Sequence, residues 1–407
     1  MPIIELSGDD LHRVCRDLAW SEISTMAGFK TSLPQRIDSA QLQWFGDAPG
    51  ALTLDSLARM QLATAAATWC NAYDIGYEDL FLAKRGVAQW AEVMQRARAS
   101  GAKHFTFSTS GSTGQRKHIR HFEEVLTSEA QAWASVLRSM PNAIAVRRVV
   151  ALCPTHHIYG FIWGVLLPIA LGVPVIDADV GSMPALLPGD LIVAVPEQWS
   201  WLAQSQVRVQ GLQGISSTAP LPEGVHRQLL GPAAGQRTGF LARLLQIYGS
   251  SETAGLAWRD DPDHAYRLAP ERSRGAGDAI TLQLANGAHV AMAVQDELHW
   301  VSVDSFNLIR RHDQMVQVGG HNVSPDWVAS RLQSHPAVQQ AAVRLDNRGQ
   351  RLKAYVVLSN ADRLADQRLV EAWALAELPG YACPLQFTYG TQLPTNSIGK
   401  LSDWPEA

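Results

Sequence analysis

Residues 108–117 read Ser-Thr-Ser-Gly-Ser-Thr-Gly-Gln-Arg-Lys and follow directly on the run HFTF. Gly111 and Gly114 permit a tight backbone whose N–H groups can converge on an anion. The hydroxyls of Thr109, Ser110, Ser112 and Thr113 add neutral donors, and Lys117 adds a mobile cation. Such a set suits a polyphosphate that is gripped and then released. The spacing G-x-x-x-x-G-K-[ST] of a Walker A loop is absent. An ordinary polar turn between strands is the competing explanation. Few such turns, however, hold this density of hydroxyls and glycines and end in Arg116-Lys117.

Five further stretches hold groups able to do chemistry. They are Cys153–Phe161 (CPTHHIYGF), Ser216–Leu221 (SSTAPL), Tyr248–Glu252 (YGSSE), Arg310–Pro325 (RRHDQMVQVGGHNVSP) and Pro394–Lys400 (PTNSIGK). Each has a plain explanation alone. A His-His pair usually packs, a Glu after a strand usually opens a helix, and a lysine near the C-terminus is usually solvated. Their order along the chain carries the meaning.

In that order the stretches resemble the motifs of the adenylate-forming superfamily, which includes acyl-CoA synthetases, aryl-CoA ligases, peptide-synthetase adenylation domains and luciferases. Residues 109–117 resemble the phosphate-binding TSGSTGxPK motif, with Arg116 in place of Pro and His118 where Gly often follows. His157 stands at the position of an aromatic or histidine gate of the acyl pocket, which implies a pocket lined from His157 through Tyr159 and Gly160. Ser217, Thr218, Ala219 and Pro220 resemble the loop that sandwiches adenine. Tyr248, Gly249, Ser250, Ser251 and Glu252 resemble YGxTE, with Ser251 for Thr. The resemblance implies that Tyr248 lies on the adenine, that the Ser251 hydroxyl meets the α-phosphate, and that Glu252 helps hold Mg²⁺. Arg311 would contact the ribose and Asp313 would be a hinge, although Arg310 replaces Gly and Gln317 replaces Lys there. For the second ribose contact Asp296 fits the spacing better than Asp304, and neither follows a Thr-Gly pair. Lys400 would be the mobile lysine that reaches the carboxylate and α-phosphate oxygens. The matches span about three quarters of the chain.

The resemblance implies ATP and Mg²⁺ as cofactors, a small carboxylic acid as substrate, and acyl carrier protein or CoA as the thiol acceptor. The compact form is similar to bacterial ligases that activate aryl acids such as hydroxybenzoates in aryl-polyene or xanthomonadin-type pathways. A fatty acid with CoA is the alternative, and so is a degenerate member that binds nucleotide without turnover. Retention of Lys117, Glu252 and Lys400 argues against the last.

The elements that must position these residues read as α/β. HFTFS at 104–108, VVALC at 149–153, LIVAV at 191–195 and LQIY at 245–248 are strand-like, several apolar throughout as for sheets covered on both faces. Helical patterns lie between them, among them Thr127–Leu137, with Thr or Ser as its cap, and Glu197–Gln204. The expected fold is a large N-terminal domain of layered, mostly parallel sheets with helices over residues 1–311. A small hinged α+β lid domain over 312–407 follows, built as strand 314–318, helix 324–333, strands 341–345 and 352–358, and helix 366–377.

Composition narrows the rest. The 407 residues exceed what one compact core usually serves. With 34 basic against 38 acidic residues and no long run of either sign, nothing tracks a nucleic-acid backbone. Four scattered cysteines, Cys15, Cys70, Cys153 and Cys383, form no CxxC and fit a reduced cytoplasm. No signal peptide is expected. Ile158–Ile176 is uncharged and close to a membrane-spanning length, but Gly160, Gly164, Pro168, Gly172 and Pro174 punctuate it into a buried helix and a buried strand.

Overall fold

The computed structural model describes residues 3–26, 54–109, 117–140, 144–205, 207, 209–231, 239–277, 279–284, 287–292, 294–311, 315–346, 348–359, 364–394 and 403–405. The chain divides into two compact units. One holds Met1–Ser108, His118–Val294 and Leu298–Leu308; the other holds Thr109–Lys117, Gln295–Glu297 and Ile309–Ala407.

The first unit opens with helices α1 (Gly8–Thr25), α2 (Ser56–Trp69), α3 (Glu78–Leu82) and α4 (Val87–Ala99). Helix α1 starts at a capping box: Ser7 Oγ accepts from Asp10 N–H, and the Asp10 carboxylate accepts from Ser7 N–H. The Asp55 carboxylate caps α2 by accepting from Ala58 N–H at 2.7 Å. Strands β1 (His104–Thr109) and β2 (Lys117–Phe122) pair with each other, and β2 runs straight into α5 (Glu123–Ser139). This helix begins four residues before the expected Thr127 cap, at a Phe122 N-cap that makes no side-chain bond. Glu123 and Glu124 complement the helix dipole there instead, and Thr127 is buried inside the helix.

Next come β3 (Arg148–Ala151), α6 (Ile158–Phe161), a π-helical turn at Ile162–Leu166, α7 (Leu167–Leu171) and β4 (Val175–Asp177). The uncharged stretch is thus helical and then a strand, as its glycines and prolines suggest, but the strand is half-buried rather than buried because β4 is the edge of its sheet. Among the described residues no helix is long and apolar enough to cross a membrane. Then follow β5 (Asp190–Ala194), α8 (Pro196–Gln204), β6 (Leu212–Ser216), α9 (Glu223–Leu230), β7 (Leu241–Ser250), β8 (Ala254–Arg259) and β9 (Tyr266–Leu268). Strands β10 (Arg272–Arg274), β11 (Ile280–Gln283) and β12 (His289–Met292) make a separate antiparallel sheet, and β13 (Asp296–Trp300) and β14 (Ser305–Arg311) complete the set.

The main sheet has the order β13-β14-β9-β8-β7-β6-β5-β3-β4. From β7 to β4 all neighbours are parallel, as the apolar runs suggest. From β7 through β8 and β9 to β14 they are antiparallel. Alternate residues of the parallel strands feed two cores: Leu191 and Val193 point to one, Ile192 and Ala194 to the other. Every residue of β5 and β6 is buried, which is why those strands lack a polar face.

A buried ion pair ties the helical and sheet layers together. Glu129 on α5 meets Arg272 on β10 at 2.9 Å, each side chain about 1% exposed. The other Glu129 oxygen accepts from Gly255 N–H on β8 at 2.8 Å and from Trp133 Nε1–H at 3.1 Å. Burial pushes the Glu129 carboxyl up, against the pull of Arg272 and these two donors.

The second unit contains β15 (Val316–Val318), β16 (His321–Val323), α10 (Pro325–Gln333), β17 (Val338–Leu345), β18 (Leu352–Leu358), α11 (Leu364–Glu377) and β19 (Gln386–Gly390). The expected strand–helix–strand–strand–helix order is present. Two strands go beyond it: β16, which closes a hairpin with β15, and β19, which lies parallel to β18 after the α11 crossover. Lys353 on β18 is buried, with Nζ 2.8 Å from the Trp404 carbonyl and 3.0 Å from Asp403.

Removing one member of a buried pair leaves an uncompensated charge. Arg272→Ala is therefore expected to cost about 3–5 kcal/mol and lower the thermal midpoint by several degrees. A midpoint equal to wild type in differential scanning calorimetry would contradict this role of the pair.

Candidate active site

The carboxyl ends of β3, β5, β6 and β7 lie side by side, the edge at which parallel α/β sheets present ligand-binding loops. Three of the expected segments leave the sheet there: 152–157 after β3, 217–221 after β6 and 251–253 after β7.

The turn after β7 is tightly specified. Ser250 N–H donates to Thr253 Oγ1 at 3.0 Å, and Thr253 N–H donates back to Ser250 Oγ at 3.3 Å. The β7–β8 register shifts between Tyr248 and Gly249, and a Cβ on Gly249 would fall on the Ala254 carbonyl. Only glycine fits at that crossing. Ala254 takes φ 56°, a left-handed conformation unusual for alanine. The Tyr248 ring lies beside Tyr266 and Phe306, with centroids 5.7 and 5.5 Å away. Ser217 Oγ donates to the Ile247 carbonyl at 2.9 Å, which locks the loop after β6 to β7, the strand that carries Tyr248. Next to it Thr218 has φ 79°, and the buried Ser216 and Thr218 hydroxyl oxygens have no hydrogen-bond partner among the described residues. Strain and unmet polar atoms together are what a loop poised to receive a polar ligand shows.

Sequence reasoning misses the residue that braces this turn. His121 on β2 donates from Nε2 to the Ser251 carbonyl at 2.6 Å, so that nitrogen bears the proton. Burial lowers the His121 pKa, while the Ser251 carbonyl and the carboxylate of half-buried Glu252 pull it upward. The same strand begins at Lys117, which is exposed. One short strand therefore carries both Lys117 and the brace of the Ser251–Glu252 turn. The only hint in the sequence is a histidine in the run KHIRHF, too common a pattern to single out.

The segment after β3 is equally constrained. Thr155 and His156 are buried and His157 is exposed as the N-cap of α6, its ring 4.0 Å from that of His156. A Cβ on Gly160 would fall on the Pro154 carbonyl. The Tyr159 hydroxyl is 3.1 Å from the Ala194 carbonyl and 3.0 Å from that of Ile215, so it is committed to the sheet edge and offers its ring rather than its hydroxyl. Phe161 and Trp163 are fully buried in the aromatic core.

The structure thus brings together Ser217, Tyr248, Ser250, Ser251 and Glu252, with His121 added. Asp296 opens β13, whereas the Asp304 carboxylate accepts from Ser302 Oγ at 2.5 Å within its own turn. Thr109 and Arg311 close β1 and β14. Ser110–Gly114, Asp313 and Lys400 lie outside the described residues. Among the described residues no group of three or more His, Cys, Asp or Glu is arranged to hold a metal ion. A single half-buried carboxylate such as Glu252 fits a Mg²⁺ ion that keeps water and phosphate oxygens as its remaining ligands.

Residues 83–296 match the AMP-binding enzyme family, and residues 328–400 match the AMP-binding enzyme C-terminal domain. The chain belongs to this family and is an AMP-forming acid–thiol ligase. It is 38% identical to the 4-coumarate–CoA ligase of Halorhodospira halophila over 97% of this chain and 99% of that protein. The 4-coumarate–CoA ligase of Cereibacter sphaeroides is 36% identical over 87% of this chain and 84% of that one. Among solved structures, the amide bond synthetase McbA of Marinactinospora thermotolerans shares the fold at a TM-score of 0.55 and 19% identity, covering 73% of this chain and 67% of that one. The o-succinylbenzoate CoA synthetase of Bacillus subtilis shares it at 0.54 and 19%, with the same coverage.

With its folded pKa below the unfolded 6.5, His121 binds fewer protons in the folded chain than in the unfolded one. Its effect on stability is nil well above pH 6.5 and turns destabilising as pH falls below that value. His121→Gln is expected to make the fall in thermal midpoint between about pH 6.5 and 5 shallower than in wild type. An unchanged slope would show that His121 is not held neutral.

Proposed function

We propose that this ligase activates an aryl carboxylic acid of the hydroxycinnamate kind, such as 4-coumarate, and transfers the acyl group to the thiol of CoA. The observation that carries the substrate class is the near full-length similarity to a 4-coumarate–CoA ligase at 38% identity. Hydroxybenzoates, the acids suggested by the pigment-pathway resemblance, differ by lacking the vinyl spacer between ring and carboxylate. A carrier-protein thiol in place of CoA is the second acceptor to test.

In the first step a carboxylate oxygen attacks the α-phosphorus of ATP, and pyrophosphate leaves. In the second the CoA thiolate attacks the acyl carbonyl and AMP leaves. Neither step needs a covalent enzyme intermediate, so the protein's task is positioning and charge stabilisation. Lys117, with Thr109, Ser110, Gly111, Ser112, Thr113 and Gly114, would hold the outgoing phosphates. Ser217–Pro220 and Tyr248 would flank the adenine, and Arg311 and Asp296 would hold the ribose. Ser251 would meet the α-phosphate, and Lys400 would stabilise the pentavalent phosphorus. Mg²⁺ on Glu252 would offset phosphate charge. His157, Tyr159 and Gly160 would wall the acid pocket, and Asp313 would be the hinge that separates the two half-reactions.

The test is pyrophosphate release with 4-coumarate, 4-hydroxybenzoate and octanoate, each with CoA, in wild type and Lys400→Ala. Wild type is expected to favour 4-coumarate over octanoate by about 100-fold or more in kcat/KM. Lys400→Ala should lose pyrophosphate release yet form thioester from supplied coumaroyl-AMP. Preference for octanoate would overturn the substrate class, and undiminished pyrophosphate release in the variant would overturn the role of Lys400.

A further inference from the structure

We infer that Asp17, on the N-terminal helix, is a positioning residue for the acid-binding turn and sets the affinity for the carboxylic acid. The inference rests on reading His157 as a wall of the acid pocket. Asp17 and Thr155 are 138 residues apart in sequence, and both are buried. One Asp17 oxygen, Oδ2, accepts from both Thr155 N–H and Thr155 Oγ1–H at 2.8 Å. Oδ1 accepts from Arg16 Nε and Nη2 at 2.9 and 2.8 Å. Arg16 reaches on to Asp177 at the end of β4 at 2.7 Å, and Arg13 joins Asp177 through Nε at 2.9 Å and Nη2 at 2.5 Å. Burial alone would raise the Asp177 carboxyl, but the two guanidiniums hold it well below the usual carboxylate range.

The charge pattern is therefore a relay of alternating sign, from Arg13 through Asp177 and Arg16 to Asp17. It ends on the backbone and hydroxyl of the residue two before His157. The far side of the same turn is also pinned: Trp69 Nε1–H on α2 donates to the His156 carbonyl at 3.1 Å. Gly160 closes against the Pro154 carbonyl, so the turn has no room to shift along the chain. Two N-terminal helices thus grip it from either side and leave His157 as its exposed member. A turn held by charge-assisted bonds at a fully buried residue is pre-organised, and pre-organisation of a pocket wall is read as ligand affinity.

The variants are Asp17→Asn, which removes the charge; Thr155→Val, which removes only the hydroxyl donor; and Thr155→Ser, which keeps it. KM for 4-coumarate is expected to rise about tenfold in the first and several-fold in the second, with KM for ATP within about twofold of wild type and Thr155→Ser near wild type. A merely structural role would move both KM values and kcat together, and that result would overturn the inference. So would wild-type KM for 4-coumarate in both Asp17→Asn and Thr155→Val. Should Asp17→Asn fail to fold, Thr155→Val against Thr155→Ser decides alone. His157→Ala separates the premise: if it leaves KM for 4-coumarate unchanged, the reading of this turn as the acid pocket falls. If it raises that KM while the Asp17 and Thr155 variants do not, the inference alone falls.

Discussion

The Glu129 carboxylate has no access to water, and a buried charge must find its donors inside the protein. It finds three: the Arg272 guanidinium, the Trp133 indole and the backbone N–H of Gly255. The last is the consequential one, because Gly255 lies two residues beyond the turn that carries Ser251 and Glu252. A Cβ at Gly255 would lie 2.6 Å from the Glu129 oxygen and 3.1 Å from the Trp133 ring, so only glycine lets the backbone come this close. With His121 gripping Ser251 from β2, the turn is held at both ends by elements adjacent in sequence. Strand β2 and helix α5 form one continuous run, so the strand that begins at Lys117 and the turn that presents Glu252 share a single brace. Phosphoryl chemistry that depends on placing charges needs such a frame.

The same logic recurs at the segment after β3. There the charged residues sit on α1 and β4, and the turn they hold is the one before α6. In both places a buried acid accepts a backbone N–H next to a turn of the main sheet, Gly255 just after the β7–β8 turn and Thr155 in the segment after β3. The loops themselves are short and are also strained, at Thr218 and Ala254, or crowded, at Gly160 and Gly249. Conformational cost at the loops is offset by buried charge behind them. Helices α1 and α2 supply the grip on the segment after β3.

What the sequence reveals and what it conceals divide along the range of the interactions. Phosphate, adenine and lysine motifs are local patterns, and their order along the chain is enough to point to the family. The apolar runs that form β3, β5 and β7 are local as well. Helix α5 starts earlier than its pattern suggests because β2 leads into it without a capping side chain, so the usual signal is absent. Strand β19 is hard to read because all its residues are half-buried, which leaves no alternation. The antiparallel half of the main sheet likewise follows from pairing between distant strands. The roles of His121, Glu129 and Asp17 are hidden for one reason: the contacts by which they tie distant segments together span 126 to 143 residues, and nothing near them in the chain announces those contacts.

In the proposed acyl-adenylate route a carboxylate oxygen becomes bonded to the α-phosphorus of ATP before the thiol arrives. Its most direct test is turnover of 4-coumarate labelled with ¹⁸O in both carboxylate oxygens, with unlabelled ATP and CoA, followed by mass spectrometry of the nucleotide product. Attack at the α-phosphorus leaves one labelled oxygen on the phosphate of each AMP released. Label found instead in inorganic phosphate, with ADP as the nucleotide product, would contradict the acyl-adenylate route and with it the roles given to the groups around Glu252.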